Sequence, residues 1–339
     1  MEKIDWDNLG FNVVETHSMY KASCRIGEEW KLGGLIPYGT IELSPAAGVL
    51  NYGQGCFEGT KAYRTVKDRV VLFRPEMNAK RMALSTKRLC IPEMNQEFFL
   101  NAVEETLKDN IDYVPPYGKG SLYIRPIVWG TSPALGVKPV EEYTFMVFVS
   151  PVGPYFKGDI QPLNLKVSNK YHRAAPKGIG NAKAIGNYSA SLLPLIEAKN
   201  SGFDEVIYLN AKDEEFVEEV GSANLFVLTG NTIKTPKLDG SILPGITRDS
   251  VITLAKDTIG LEVLETNVTL TELYDADEVF CTGTAVVVTP VGSITGLDGK
   301  HKIADGKMGQ LTSKLRQLLT GIQRGDVSDE FGWLYPIKE

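Results

Sequence analysis

Residues 181–188 read Asn-Ala-Lys-Ala-Ile-Gly-Asn-Tyr and place Lys183 among small neighbours. Three short segments follow it in order: residues 219–226, Glu-Val-Gly-Ser-Ala-Asn-Leu-Phe; residues 243–248, Leu-Pro-Gly-Ile-Thr-Arg; and residues 282–285, Thr-Gly-Thr-Ala. A lone lysine is usually a solvated surface charge. The small residues around Lys183, Gly178, Gly180, Ala182, Ala184 and Gly186, would let a flat ligand lie against the backbone. A desolvated lysine also shifts toward its neutral, nucleophilic amine. Lys183 is therefore the candidate nucleophile.

The three later segments supply an acid and two turns that could bind an anion. Glu219 falls at a predicted strand end beside a tight turn, whereas the acidic residues before it are more typical of a solvated loop. Residues 243–248 predict a glycine turn leading into a helix, whose unpaired N–H groups favour anions, although Thr247 taken alone would be only an N-cap. Residues 282–285 add a second turn with hydroxyls. An amine, a carboxylate and anion-binding turns are what an aldehyde cofactor with a pyridine ring and a phosphate requires.

Length and charge restrict the class of protein. At 339 residues the chain is longer than one hydrophobic core usually serves, so we expect two domains. Hydrophobic residues make up 43% and charged residues 23%, which predicts an ordinary globular protein rather than a disordered or fibrous one. The formal net charge of -6 argues against a broad nucleic-acid surface, because such proteins concentrate Lys and Arg on one face. We therefore predict no nucleic-acid partner.

Cysteine spacing and the N-terminal residues predict a soluble protein without a metal site. The four cysteines are scattered and the chain has three histidines, so no metal-binding pattern is recognised. The first residues, Met-Glu-Lys-Ile-Asp-Trp-Asp, are acidic and lack the basic-then-apolar order of a signal peptide. No apolar run approaches membrane-spanning length. We predict no membrane partner and a cytoplasmic location.

Local patterns predict alternating strands and helices. Residues 60–65 and 70–73 predict a hairpin, and Pro75 suits the first turn of a helix that follows it. Farther along, a helix starting at about residue 189 should be kinked by Pro194. The overall pattern indicates a mixed α/β (α+β) protein.

A stretch rich in proline and glycine divides the predicted elements. Residues 150–162 read Ser-Pro-Val-Gly-Pro-Tyr-Phe-Lys-Gly-Asp-Ile-Gln-Pro, which is typical of a connection rather than a strand or helix. We therefore predict a small N-terminal domain over residues 1–149, an interdomain loop over residues 150–162 and a large cofactor-binding domain over residues 163–339.

A nucleotide-binding loop is an alternative interpretation of the glycines before Lys183. Residues 178–183 read Gly-Ile-Gly-Asn-Ala-Lys, but a phosphate-binding loop of that type needs Gly-Lys followed directly by Ser or Thr. A dinucleotide fingerprint needs a third glycine where this chain has Lys183. The fit is poor, and a non-enzymatic nucleotide-binding protein remains the alternative from a different class.

The assembled residues resemble those of the branched-chain amino acid aminotransferases, pyridoxal-phosphate enzymes of fold type IV. The resemblance runs from about residue 4 to residue 333. Besides the four segments above, it includes Leu-Asn-Tyr-Gly-Gln-Gly-Cys-Phe-Glu-Gly at 50–59, Leu-Phe-Arg-Pro at 72–75, Leu-Tyr-Ile-Arg-Pro at 122–126 and Ala-Leu-Gly-Val at 134–137. It implies a two-domain fold with a smaller N-terminal α/β domain and a larger C-terminal pseudo-barrel domain.

The resemblance also implies which residues bind the cofactor, pyridoxal 5'-phosphate. By position, Lys183 holds the cofactor covalently, Tyr188 contacts its ring oxygen and Glu219 pairs with its ring nitrogen, and these three form the catalytic set. The phosphate would be bound by Arg81, Gly245, Ile246, Thr247 and Thr284.

For the substrate, the resemblance implies two kinds of contact and a second subunit. Tyr123 and the turn at Thr284 and Ala285 would hold the α-carboxylate, and Arg125 would receive the distal carboxylate of glutamate. An apolar pocket would be lined by Phe57 and Tyr155. The neighbouring subunit of a homodimer would supply Tyr52, Leu135 and Val137.

The expected activity is reversible amino transfer between L-leucine, L-isoleucine or L-valine and 2-oxoglutarate. The expected partners are therefore small amino acids and 2-oxo acids. Within the same fold, a D-amino acid aminotransferase or an aminodeoxychorismate lyase remains the alternative.

Overall fold

The computed structural model describes residues 4–153 and 160–338. Strands and helices alternate in the first half of the chain, as the sequence predicts. Their bounds are β1 (Ser18–Arg25), β2 (Gly34–Pro37), α1 (Gly48–Tyr52), β3 (Gly55–Phe57), β4 (Thr60–Arg64), β5 (Val70–Phe73), α2 (Pro75–Arg88), α3 (Gln96–Asp109), β6 (Ser121–Gly130) and β7 (Glu142–Val152). Tyr155 lies outside the described residues, so its assignment to the substrate pocket stays a prediction.

The second half is richer in short strands. Its elements are β8 (Leu163–Val167), α4 (Ile185–Ser189), α5 (Leu192–Asn200), β9 (Glu205–Leu209), β10 (Val217–Val220), β11 (Ala223–Thr229), β12 (Thr232–Pro236), α6 (Ile246–Thr253), β13 (Glu262–Thr266), α7 (Leu270–Tyr274), β14 (Glu278–Gly283), β15 (Val287–Thr295), β16 (Lys300–Lys302), α8 (Gln310–Arg324) and β17 (Leu334–Pro336).

The chain divides into two compact units. The first consists of residues 4–153, 182–185 and 321–338, and the second of residues 160–181 and 186–320. Residues 182–185 and 321–338, which the sequence places in the large domain, belong to the first unit: Ala184 forms a β-bridge with Cys56, and β17 pairs with β5. Residues 150–152, predicted as the start of the interdomain loop, form the end of β7.

An antiparallel sheet forms the base of the first unit. Its strand order is β17-β5-β4-β6-β7-β1-β2, with β3 paired to β6. Strands β4 and β5 form the predicted hairpin, which confirms that prediction. Along β6, buried Leu122 and Ile124 alternate with the less buried Tyr123 and Arg125, because successive side chains of a strand point to opposite faces.

Helices α2 and α3 complete the core of the first unit. Pro75 occupies the first turn of α2, as predicted. Asn95 caps α3 by accepting a hydrogen bond from the N–H of Phe98 at 2.8 Å. The Phe98 ring in turn packs against Phe145 of β7, with 5.5 Å between centroids. Burying each such side chain contributes roughly 1.5–3 kcal/mol to folding.

The sheet of the second unit closes on itself. Strand β10 pairs with both β9 and β11, and the path between them runs through β8, β15 and β14. The pseudo-barrel that the resemblance implies is thus present. The apolar cluster contributed by these strands includes Leu165, Ile207, Val217, Leu225, Val279 and Val291.

Pro194 does not kink a helix, so that prediction is wrong. Ser191 is the N-cap of α5, which places Pro194 in the first turn. N–H groups of the first turn have no partner within the helix, so proline removes no hydrogen bond there. The helical path is interrupted earlier, between α4 and α5.

Candidate active site

Two backbone hydrogen bonds anchor Lys183 within the first unit. Its N–H donates to Ser85 Oγ of α2 at 3.0 Å, and its carbonyl accepts from the N–H of Phe57 at 3.1 Å. The flanking Ala182 and Ala184 are buried, so larger side chains there would have to displace packed neighbours. The backbone of Lys183 is therefore hydrogen-bonded to both strand β3 and helix α2.

The Lys183 amine is surrounded by cations and aromatic rings. Its Nζ lies 5.0 Å from the centroid of the Phe57 ring. Enclosure by protein lowers the pKa of Lys183 from 10.5 to about 8; Arg81 and Arg125 act in the same direction, and Glu58 opposes them. Part of the side chain remains accessible, but the amine itself is enclosed. An amine with a pKa near neutrality can act both as nucleophile and as proton carrier.

This environment predicts when Lys183 becomes reactive. In cofactor-free protein, trace acetylation of Lys183 followed by peptide mass spectrometry should give a rate that rises with pH and levels off above about 8. The neutral amine reacts, and a lowered pKa makes it abundant at lower pH. The exposed Lys67 provides the reference rate in the same samples. A Lys183 profile that keeps rising to the ordinary lysine range would contradict the enclosed amine.

Arg81 is paired with a buried carboxylate that the sequence did not identify as a site residue. Arg81 Nε and one terminal nitrogen donate to the two oxygens of Glu58 at 2.7 and 2.8 Å. Asn78 Nδ2 donates to the same carboxylate at 2.8 Å. Burial alone would raise the pKa of Glu58, but the Arg81 charge and these hydrogen bonds hold it below its usual value. In the sequence, Glu58 could have been noticed as the acidic residue of the segment 50–59, which carries part of the family resemblance. The resemblance assigns no role to it.

Three residues assigned to the substrate lie together in the first unit. Tyr123 and Arg125 share one face of β6, and Arg125 donates to the Tyr123 hydroxyl at 3.0 Å. The Arg125 guanidinium also lies over the Phe57 ring, 4.6 Å from its centroid. Its Nε is buried and has no hydrogen-bond partner among residues 4–153 and 160–338. Aromatic walls and a cation could together accommodate an apolar chain and a carboxylate.

The residues assigned to the neighbouring subunit lie on the surface of this chain. Leu135 is 91% exposed and Val137 is 90% exposed, while Tyr52 at the end of α1 is 38% exposed. Neighbouring apolar side chains that are this exposed are unusual on the surface of a monomeric protein.

In the second unit, three groups hold the carboxylate of Glu219. Arg173 lies 2.6 Å from Oε2, and the pair is almost completely buried. Asn224 Nδ2 donates to Oε1, and the N–H of Leu243 donates to Oε2, both at 3.2 Å. Arg173 was missed from the sequence, because an isolated arginine gives no sign of its burial. Asp213, Glu214 and Glu215 are exposed, as predicted for a solvated loop. The prediction is wrong for Glu218, which is buried in β10 beside Glu219 and accepts a hydrogen bond from Ser241 Oγ.

The turn before α6 requires glycine. Gly245 is the N-cap of α6 and has no side chain to occupy the first N–H groups, so the interpretation of Thr247 as the N-cap is wrong. A Cβ at position 245 would lie 2.0 Å from Asn224 Oδ1. Asn224 also donates to the Leu243 carbonyl at 3.0 Å and so links this turn to Glu219. Ile246 is buried in the first turn of the helix.

The remaining cofactor candidates also lie in the second unit. Thr284 and Ala285 form the turn between β14 and β15, and Tyr188 lies in α4. Near the end of β14, the buried hydroxyl of Thr282 has no hydrogen-bond partner among the described residues. Gly180, which the sequence suggested makes room for a ligand, is small for another reason: a Cβ there would lie 1.9 Å from the Ser241 carbonyl oxygen.

None of the helices within residues 4–153 and 160–338 has the length and apolar character that a membrane span requires. In the same residues, no three His, Cys, Asp or Glu side chains are arranged to hold a metal ion.

Comparison with known proteins gives one family. Residues 55–294 match the family described as amino-transferase class IV. The branched-chain amino acid aminotransferase 2, chloroplastic, of Humulus lupulus is 50% identical over 330 residues, which cover 97% of this chain and 81% of that protein. The solved Escherichia coli branched-chain amino acid aminotransferase is 30% identical, with a TM-score of 0.80 and coverage of 96% of this chain and all of that one. This structural similarity confirms the prediction that the chain has the two-domain fold of the fold type IV enzymes.

A second solved structure bears on the chemistry. The T.th. branched-chain amino acid aminotransferase with pyridoxamine 5'-phosphate is 32% identical, with a TM-score of 0.81 and coverage of 96% of this chain and 100% of that one. The same enzyme has been solved with N-(5'-phosphopyridoxyl)-L-glutamate and with 4-methylvaleric acid.

The predicted cytoplasmic location is wrong. The Humulus lupulus relative and several Arabidopsis thaliana relatives are chloroplastic proteins by name. The prediction rested on the scattered cysteines, the acidic first residues and the lack of a long apolar run, and none of these features distinguishes the cytoplasm from the interior of an organelle.

Proposed function

The chain belongs to the class IV aminotransferase family, and from this membership we propose that it is a branched-chain amino acid aminotransferase dependent on pyridoxal 5'-phosphate. It transfers an amino group reversibly between L-leucine, L-isoleucine or L-valine and 2-oxoglutarate. The observation that carries the proposal is the enclosed Lys183 amine, with a pKa of about 8, in the same unit as Phe57 and Arg125.

Features of each unit fit the cofactor. In the first unit, Lys183 offers an amine to the aldehyde, and Arg81 offers charge to the phosphate. In the second, Glu219 offers a buried carboxylate to the ring nitrogen, and the glycine turn at Gly245 leaves backbone N–H groups for the phosphate. The buried Thr282 hydroxyl, which has no partner among the described residues, could donate a hydrogen bond near the turn of Thr284 and Ala285, the second turn proposed to bind the phosphate. Thr247, Ile246 and Thr284 are assigned to the phosphate and Tyr188 to the ring oxygen.

Lys183 is proposed to move the proton. When bound, pyridoxal 5'-phosphate withdraws electrons from the α-carbon of the substrate. The Lys183 amine takes the α-proton as a general base and returns it as a general acid, for which a pKa near the working pH is most effective. Glu219, which lies 2.6 Å from Arg173, would supply the negative charge that a protonated ring nitrogen needs.

The substrate cluster explains how one site could take two kinds of side chain. Phe57 and Tyr123 present ring surface to an aliphatic chain, worth roughly 1.5–3 kcal/mol when that chain is fully buried. Arg125 presents its guanidinium, with the buried unpartnered Nε, to a distal carboxylate. Selectivity among leucine, isoleucine and valine should be modest, because one methylene is worth only about 1–3 kcal/mol.

A homodimer is part of the proposal. Leu135, Val137 and Tyr52 are assigned to the substrate site of the neighbouring subunit, and their exposure in this chain supports that assignment. A second copy would cover this apolar surface, as interfaces commonly do.

Substrate assays of the Arg125→Ala variant test the function. With a panel of amino donors and 2-oxoglutarate, we expect the unaltered protein to use L-leucine, L-isoleucine and L-valine. Arg125→Ala should reduce kcat/KM for glutamate about 100-fold or more and affect leucine less, because only glutamate needs the distal cation. The matched control is Arg69→Ala, an exposed arginine in the same unit.

Other outcomes of the panel point to the alternatives. Equal losses for glutamate and leucine would refute the role of Arg125. Use of D-amino acids, or release of pyruvate from aminodeoxychorismate, would favour the other activities of this fold. A colourless protein that binds ATP and transfers no amino group would favour the nucleotide-binding alternative.

A further inference from the structure

We infer that Glu58 is a positioning residue of this site, whose carboxylate fixes the Arg81 guanidinium in one orientation and supplies the negative charge facing the Lys183 amine. The inference rests on the proposed function, because Arg81 and Lys183 are its cofactor ligands. It adds a residue to which the resemblance gives no role.

The geometry of the Glu58–Arg81 pair leaves little freedom. Glu58 is fully buried and Arg81 is 6% exposed. Two parallel hydrogen bonds, from Nε and a terminal nitrogen, join the guanidinium to both carboxylate oxygens. A planar guanidinium held in this bidentate manner cannot rotate about its long side chain. Asn78 adds a third donor, so the carboxylate is itself held in place.

The same backbone frame carries the pair and the lysine. Glu58 follows Phe57, whose N–H donates to the Lys183 carbonyl. Arg81 lies one helical turn before Ser85 on α2, and Ser85 accepts the N–H of Lys183. A shift of the Glu58–Arg81 pair would therefore displace Ser85 and Phe57, which hold the backbone of Lys183. A shift of the Lys183 backbone would likewise disturb the pair.

The charges around Lys183 explain why an acid is needed there. The groups acting on the amine include Arg81 from α2, Tyr123 and Arg125 from β6, and Glu58, which follows β3. Both arginines disfavour a protonated amine, whereas the Glu58 carboxylate favours it. Without Glu58, the amine would lose its proton at a lower pH, and a smaller fraction of it would be protonated and available as a general acid at neutral pH.

A purely structural role is the competing explanation. Buried ion pairs are weak evidence for stability, because desolvation offsets much of their attraction. A structural pair would change the unfolding temperature when altered, but it would not change the proton affinity of Lys183 or the affinity for phosphate independently. Those two properties therefore separate the explanations.

The test compares Glu58→Gln and Glu58→Asp in full-length, cofactor-free protein. Glu58→Gln keeps the size and removes the charge; Glu58→Asp keeps the charge and shortens the reach to Arg81. Asp68→Asn is the control, since it neutralises an exposed carboxylate that pairs with Arg64 in the same unit. Lys183 acetylation against pH, inorganic phosphate affinity and thermal unfolding are measured for each.

We expect the two variants to differ. Glu58→Gln should lower the pH midpoint of Lys183 acetylation by about one pH unit and weaken phosphate binding about tenfold. Glu58→Asp should leave the midpoint near that of the unaltered protein but weaken phosphate binding to a similar degree, because the fork to Arg81 is lost. Asp68→Asn should change neither property.

Two results would overturn the inference. One is a Glu58→Gln protein that folds and matches Asp68→Asn in both midpoint and phosphate affinity. If Glu58→Gln does not fold, an Asp variant with unchanged phosphate affinity overturns it as well. Failure of the proposed function is distinguishable, because the unaltered protein would then take up no pyridoxal 5'-phosphate and transfer no amino group.

Discussion

Lys183→Ala is expected to abolish amino transfer while leaving the fold intact. Removing a covalent nucleophile that also carries the proton should reduce kcat by roughly four to six orders of magnitude. The two hydrogen bonds that anchor the segment come from the backbone of residue 183 and survive the substitution. Removing an enclosed amine also removes a desolvated charge, so little stability should be lost. Steady-state turnover with leucine and 2-oxoglutarate, together with thermal unfolding, checks both expectations.

Lys67→Ala is the matched control, because Lys67 is an exposed lysine of the same unit. It should keep full turnover. The unaltered protein should be yellow with bound cofactor and should lose that colour on borohydride reduction. If Lys183→Ala retained both a reducible chromophore and full turnover, the assignment of the nucleophile would be wrong.

Glu219→Gln is expected to cause the second largest loss, in turnover and in stability together. A neutral amide cannot supply the charge that keeps a ring nitrogen protonated, so kcat should fall by roughly two to three orders of magnitude. Arg173 would also lose its buried partner at 2.6 Å. An uncompensated buried charge costs about 3–5 kcal/mol. Turnover and denaturant unfolding measure the two losses separately.

The double variant Glu219→Gln, Arg173→Gln separates chemistry from stability. Removing both charges should recover much of the lost unfolding free energy, whereas turnover should stay low. Glu215→Gln, an exposed acid on the same stretch of chain, should change neither. Recovery of turnover in the double variant would show that Glu219 acts only by neutralising Arg173.

Local features of the chain were predictable from its sequence because short-range physics decides them. The hairpin of β4 and β5 follows from two apolar runs separated by a turn, and the start of α2 follows from Pro75. The sequence also predicts the turn at Gly245, but it does not show why position 245 must be glycine. The reason is the side chain of Asn224 in β11, which leaves no room for a Cβ at position 245.

The partners of charged groups were not predictable. Nothing in the sequence marks Glu58 or Arg173 as buried, because a single sequence does not show which charges lose contact with water. Glu58 reaches Arg81 across 23 residues, and that pairing exists only once β3 and α2 pack together. The smallness of Gly180 was likewise attributed to a ligand, whereas the Ser241 backbone explains it.

The sequence by itself determined the chemistry available to this protein: an amine at Lys183, an acid at Glu219, glycine turns that expose N–H groups, and the order of strands and helices. Tertiary structure alone decided which charges lose water and which find partners. It closed the second sheet through β10, and it lowered the pKa of Lys183 to about 8. The physical reason is that residue identity and local propensity are properties of short segments, whereas burial and charge pairing depend on residues far apart in the chain.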